Sequence, residues 1–127
     1  MATEPSNSAS PSPTDKWEVQ LRKGCLELAI CGCLWSGRLY GLEILRTLDT
    51  DSSLALSAST LYPLLSRLKA DGLLDSEWVE AVAGHPRKYY SLTDAGRRRA
   101  LEMTRMWSRF SATLENLVSP LLKENAK

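Results

Sequence analysis

Between Ser57 and Glu80 the chain reads SASTLYPLLSRLKADGLLDSEWVE, and the spacing of its apolar residues changes partway along. Leu61, Leu64, Leu65 and Leu68 recur at i, i+3, i+4 and i+7, which predicts a helix with one buried stripe. Ser57 or Ser59 can cap its first turn; with Ser59 as the cap, Pro63 falls in the opening turn, where a missing N–H costs little. Gly72 supplies the stop. Beyond it, LLDSEWVE and RKYYSLT are short, rich in Leu, Trp, Val and Tyr, and separated by AVAGHP, the pattern of a two-stranded hairpin with a loop at its tip.

Upstream, apolar residues fill nearly every position from Leu26 to Trp35, with Glu27 the sole charge, so this segment predicts a central helix covered on almost all sides. SGR breaks it, and YGLEILRTLDT predicts a second helix with Leu42, Leu45 and Leu48 inward and Glu43 and Arg46 outward, followed by a loop through Asp49, Asp51, Ser52 and Ser53. KWEVQLRKG mixes charge with Trp17, Val19 and Leu21 and reads as a short docked helix or an irregular arm. Residues 1–15, mostly Ser, Pro, Thr and Asn, read as a disordered tail. At the other end Thr93 and Asp94 open a long final helix. Along it Ala100, Met103, Trp107, Phe110, Leu114, Leu117 and Leu121 alternate spacings of three and four, a coiled-coil-like seam.

The fold class predicted is mainly α with a small β-hairpin: three helices, a hairpin and a long C-terminal helix, the order of a winged helix-turn-helix. Residues 16–93 form the winged domain and 94–127 the C-terminal helix. With 127 residues, 43% of them hydrophobic and 24% charged, the chain fits one ordinary core. Its formal charge is +1, so affinity for a polyanion depends on where the cations sit. Cys25, Cys31 and Cys33 share one apolar segment, which argues against a disulfide framework, for buried structural thiols and for a reducing, cytoplasmic setting. No metal site is expected: Cys31 and Cys33 point to different sides of a helix and His85, the one histidine, is remote. The first residues lack a basic start and an apolar run, and CLELAICGCLW is too short to cross a bilayer, so neither a leader nor a membrane span is expected.

Candidate chemistry concentrates on the third helix and the hairpin. Opposite the leucine stripe lie Ser59, Pro63, Ser66 and Ala70, flanked by Tyr62 and Arg67. Small and hydroxylated side chains admit a groove floor, while Tyr62 and Arg67 reach base edges or phosphates. His85, Arg87 and Lys88 place cations at the hairpin tip. Arg97, Arg98 and Arg99 read as solvated or locally paired. The seam on the last helix, with Met103, Trp107, Phe110, Leu114, Leu117 and Leu121, predicts self-association into a two-fold dimer, the competing reading being a helix that folds back on its own domain.

With these residues placed, Leu21 to Met106 resembles the PadR-type transcriptional regulators through LRKGCLELAI, YGLEIL, STLYPLLSRLKADGLLDSEW and HPRKYYSLTDAGRR, over about two thirds of the chain. The single helix after the wing is similar to the small subgroup of that family. The resemblance implies a DNA-binding dimer, usually a repressor, and places double-stranded DNA at Ser59, Thr60, Tyr62, Arg67, Arg87 and Lys88. It also implies a tryptophan on the last helix that stacks on flat aromatic effectors; Trp107 holds that place, although packing in the seam is the favoured reading of it. Ser59 stands where many relatives have glycine, and Ala83 precedes Gly84 where a glycine pair is common.

The leading reading is a sequence-specific DNA-binding homodimer that releases DNA when a signal alters the spacing of its two reading helices. The alternative is a winged-helix protein-interaction module without DNA binding, supported by the near-neutral charge. No set of residues forms a nucleophile, base or metal site, so the chain is not expected to be an enzyme or to hold a cofactor.

Overall fold

The structure, a computed structural model, describes residues 13–50, 54–80 and 84–126. Its elements run α1 (Pro13–Leu34), β1 (Leu39–Tyr40), α2 (Gly41–Leu48), α3 (Ala58–Ala70), β2 (Leu74–Val79), β3 (Arg87–Leu92) and α4 (Asp94–Ala126). This is the winged arrangement the sequence implies. Residues 1–12 of the expected tail, Asp51 to Ser53 of the expected loop and Ala81 to Ala83 of the wing tip lie outside the described residues. No helix among the described residues is long and apolar enough to cross a membrane.

The core forms where α1, α2 and α3 cross. Ile30 and Leu34 from α1, Ile44 and Leu48 from α2, and Leu61, Leu65 and Leu68 from α3 are buried together, closed below by Leu74 and Tyr90 of the sheet. The stripe on α3 is thus the predicted one, with Leu64 packed at its margin. On α2 the outcome differs. Gly41, Ile44 and Leu48 face inward while Leu42 is exposed, because a strict spacing of three drifts around a helix and spacings of three then four do not.

Helix α1 is longer than its apolar segment. It is continuous from Pro13, so KWEVQLRKG is neither an arm nor a separate helix, and Pro13 to Asp15 belong to helix and not to the tail. Proline is tolerated in a first turn, Asp15 sits favourably beside the N-terminal dipole, and Glu18 and Arg22 pair at 3.7 Å across one turn.

Ser57 stands at the N-cap position of α3 but its hydroxyl makes no capping bond to the backbone, turning instead to the hydroxyls of Ser59 and Thr60, and Pro63 becomes the sixth helical residue rather than a member of the first turn. The ring removes the donor that would otherwise meet the Ser59 carbonyl. At the other end Gly72, at φ +79°, closes the helix: its N–H donates to the Lys69 carbonyl at 3.0 Å and that of Leu73 to the Leu68 carbonyl at 3.0 Å.

The sheet has three strands in the order β1-β3-β2, one more than the hairpin alone. Leu39 and Tyr40 pair with Tyr90 and Tyr89, and β2 pairs with β3 from Leu74↔Leu92 to Val79↔Arg87. Thr93 then joins sheet to α4. Its Oγ1 accepts from the Gly96 N–H at 2.9 Å and donates to the Gly72 carbonyl at 2.7 Å. A Cβ on Gly96 would run into the Leu73 carbonyl, so the start of α4 is seated directly on backbone.

Two stability predictions follow from this packing. Leu65→Ala removes the middle of the fully buried stripe and is expected to lower unfolding free energy by about 2–5 kcal/mol in urea titration. Burial, helped by the Glu27 carboxylate, pushes the Cys31 thiol up from the ordinary 9.0 to about 11. Between those values the unfolded chain has lost the proton that the folded chain retains, so stability falls as pH rises. Denaturation from pH 8 to 11 is expected to show a shallower decline for Cys31→Ala than for the parent.

Candidate nucleic-acid interface

Burying Leu61, Leu65 and Leu68 leaves Ser59, Pro63 and Ser66 exposed on the opposite side of α3. Tyr62 and Arg67 lie on opposite flanks of that exposed face. Thr60, one heptad before Arg67, shares the arginine's flank. Ser57 Oγ lies 2.9 Å from Ser59 Oγ and 3.2 Å from Thr60 Oγ1, so the hydroxyls of the first turn form one cluster. No acidic residue stands in that turn, whose free N–H groups and dipole favour an anion.

Tyr62 is fixed by a glycine. Its ring rests on Gly41, the first residue of α2, where a Cβ would collide with the ring carbons and hydroxyl. From there the ring lines a groove of about 480 Å³ between α3 and the wing, shared with Tyr40, Trp78, Arg87, Lys88 and Tyr90. That lining carries two cations and no carboxylate.

The wing presents these side chains through strand alternation. Trp78 pairs with Lys88 and Ser76 with Tyr90, so both pairs share the face that is core at its base and groove toward the tip. Lys88 Nζ stands 5.9 Å from the Trp78 ring centre and 5.8 Å from that of Tyr90. The Arg87 guanidinium lies 4.5 Å over the Tyr40 ring, and Tyr40 meets Tyr89 edge-on at 5.5 Å. Aromatic stacking holds the cations in place without neutralising them.

Of the residues singled out from sequence, Tyr62, Arg87 and Lys88 converge on one groove, while Ser59, Thr60, Pro63 and Ser66 occupy the neighbouring helix surface. Arg67 is differently placed: its Nη2 lies 3.4 Å from Glu27 Oε1 on α1, with the side chain 60% exposed. Trp78 was missed. It is 67% exposed on β2, and the only sequence signal was a large aromatic facing outward from a short strand.

On α4 the seam is covered only at its beginning. Ala100 is buried and Met103 half-buried, whereas Trp107, Phe110, Leu114, Leu117 and Leu121 are exposed in the single chain. Trp107 and Phe110, with ring centres 6.4 Å apart, line a cavity of about 630 Å³ with Met103 and Met106 of α4 and Gly24, Cys25 and Leu28 of α1. Two members of the arginine triplet are locally paired. Arg97 donates to the Trp35 carbonyl at 3.1 Å and stacks on its ring, and Arg99 Nε lies 3.3 Å from Glu27 Oε2.

Comparison with known proteins agrees with this architecture. The sequence profile of the transcriptional regulator PadR-like family matches residues 30–102. The chain is similar to the transcriptional regulator Rv3488 of Mycobacterium tuberculosis, 54% identical over 52 residues, a match covering 36% of this chain and 48% of that protein. The matched segment thus spans about half the length of that curated relative. Among solved structures, a PadR family transcriptional regulator from Eggerthella lenta superposes with a TM-score of 0.73 at 33% identity, over 83% of this chain and 91% of the other. A PadR-like transcriptional regulator from Bacillus cereus gives 0.72 at 31% identity, over 78% and 96%. Helix order, wing and sequence profile agree: the chain belongs to the PadR-like family of transcriptional regulators.

Proposed function

We propose that the protein is a homodimeric, sequence-specific DNA-binding repressor, relieved by a flat aromatic effector. The observation that carries the DNA-binding reading is the groove between α3 and the wing, where Tyr62, Arg87 and Lys88 meet on a surface without carboxylates. In this reading the exposed face of α3 enters the major groove, with Ser59, Thr60, Pro63 and Ser66 close to the floor and Tyr62 reading a base edge. The wing cations lie along the neighbouring phosphates, with Trp78 against the sugar edge.

The dimer reading rests on α4. Five large apolar side chains from Trp107 to Leu121 stay in water in a lone chain, and a second α4 across a two-fold axis removes them from it. Two copies then present their α3 helices about one turn of B-form duplex apart, roughly 34–36 Å. The cavity beside Trp107 lies at the margin of that surface, so an aromatic molecule stacked on Trp107 touches both α1 and the dimer helix and shifts the spacing of the reading helices. The buried, unpaired thiol of Cys31 suits a reducing cytoplasm.

Anisotropy titration on the promoter upstream of the protein's own gene tests the reading. Tyr62→Ala is expected to weaken the specific complex by about 1–3 kcal/mol, and Lys88→Ala to weaken all sequences alike while lowering the salt slope by about one. A flat binding curve insensitive to salt overturns DNA recognition. Phe110→Glu with Leu117→Glu is expected to shift sedimentation from dimer to monomer at micromolar concentration. Quenching of tryptophan emission by anilinonaphthalene sulfonate is expected in the parent and absent in Trp107→Ala.

A further inference from the structure

Glu27 stands alone as a charge in the apolar middle of α1, and its carboxylate is 19% exposed. Two cations from two other helices meet it there. Arg67 of α3 donates from Nη2 to Oε1 at 3.4 Å, and Arg99 of α4 lies 3.3 Å from Oε2. The two contacts are unequal. Arg99 sits at ion-pair distance with no N–H aimed at the oxygen, and Oε2 accepts no hydrogen bond among the described residues although it is buried. One carboxylate thus serves two guanidiniums and satisfies neither fully.

Helix geometry gives this arrangement a direction. Arg67 shares its flank of α3 with Thr60, at the edge of the exposed face, and its side chain is 60% exposed, so its guanidinium stands between Glu27 and the solvent-facing surface of α3. Arg99 stands exposed on the N-terminal end of α4, which is seated on the sheet, and also lines the Trp107 cavity. Each guanidinium lowers the negative potential that the other feels at Glu27.

We propose that Glu27 is a positioning residue that competes with the DNA backbone for Arg67, and that Arg99, by sharing the same carboxylate, sets how firmly Arg67 is held. This inference rests on the DNA-binding reading above. Neutralising Glu27 releases Arg67 and favours its phosphate contact. Neutralising Arg99 leaves the whole carboxylate to Arg67 and draws it away from the DNA. A purely structural role for the triad predicts the same sign for both changes, since each breaks one contact between helices; the altered net charge alone predicts opposite signs that persist without Arg67, whereas competition predicts that both effects vanish once Arg67 is removed.

The test is anisotropy titration of the full chain with a mixed-sequence duplex over a range of salt, because a phosphate contact is independent of sequence. Glu27→Gln is expected to bind several-fold more tightly with a steeper log–log salt slope, its steepening and the flattening in Arg99→Gln together amounting to one phosphate contact, about 0.9. Arg99→Gln is expected to bind several-fold more weakly with a shallower slope. Glu27→Gln combined with Arg67→Gln is expected to match Arg67→Gln alone. Should Glu27→Gln fail to fold, Arg99→Gln, whose side chain is 51% exposed, is made with and without Arg67→Gln, and its weakening is expected only where Arg67 is present. Unchanged or weakened binding in folded Glu27→Gln, or unchanged binding in Arg99→Gln, overturns the inference while parent binding keeps the DNA reading intact. A parent chain that binds no duplex overturns both.

Discussion

Everything on the outer surface of α3 is decided by what happens on its inner one. Leu61, Leu65 and Leu68 lock against Ile30, Leu34 and Ile44, each of these leucines contributing about 1.5–3 kcal/mol by leaving water. A helix has no freedom to turn once that stripe is seated, so Ser59, Pro63 and Ser66 are exposed as a consequence and not by separate contacts. The stripe also sets the two flanks, delivering Tyr62 to Gly41 and the wing on one side and Arg67 to α1 on the other. The exposed face of α3 and the core are two sides of one constraint.

The wing solves a different problem, that of holding cations out in solvent at fixed positions. Long basic side chains on a protruding hairpin lose much rotamer freedom when they bind, and that loss opposes binding. Here Arg87 lies on Tyr40 and Lys88 between Trp78 and Tyr90, so part of the ordering is already done before any partner arrives. The two-residue strand β1 matters for the same reason, since it brings Tyr40 onto β3 and makes the base of the wing a sheet of three strands.

What could be read from the sequence and what could not divides along physical lines. The stripe on α3, the stop at Gly72, both hairpin strands and the opening of α4 at Thr93 were legible because each depends on neighbours within a few residues. The failures have specific causes. Leu42, Leu45 and Leu48 suggested a stripe of period three; Leu48 is buried and Leu45 packs at the core margin, but Ile44 and Gly41 hold the other inner positions and Leu42 is exposed. Pro63 sits deeper in its helix than a Ser59 cap would place it, because the competing Ser57 begins the helix earlier. A strand of two residues has no periodicity to detect, so β1 left no trace. Trp78 looked like an ordinary strand residue until the register placed it beside Lys88. Glu27 was conspicuous as a lone charge, but its hydrogen-bond partner Arg67 lies 40 residues away and its role emerged only when three helices met.

Helix α4 is about 50 Å long at 1.5 Å per residue, and in the single chain its buried residues among those described, Gly96 and Ala100, lie in its first two turns. There Gly96 leans on the Leu73 carbonyl and Thr93 is hydrogen-bonded to Gly72. Mechanically this is a cantilever. A tilt of one degree at the clamp displaces the far tip by roughly 0.9 Å at that length. Bulk added at the clamp, where backbone already touches backbone, is therefore magnified along the rod, so a single methyl group on Gly96 would misalign side chains at the distant tip that it never approaches.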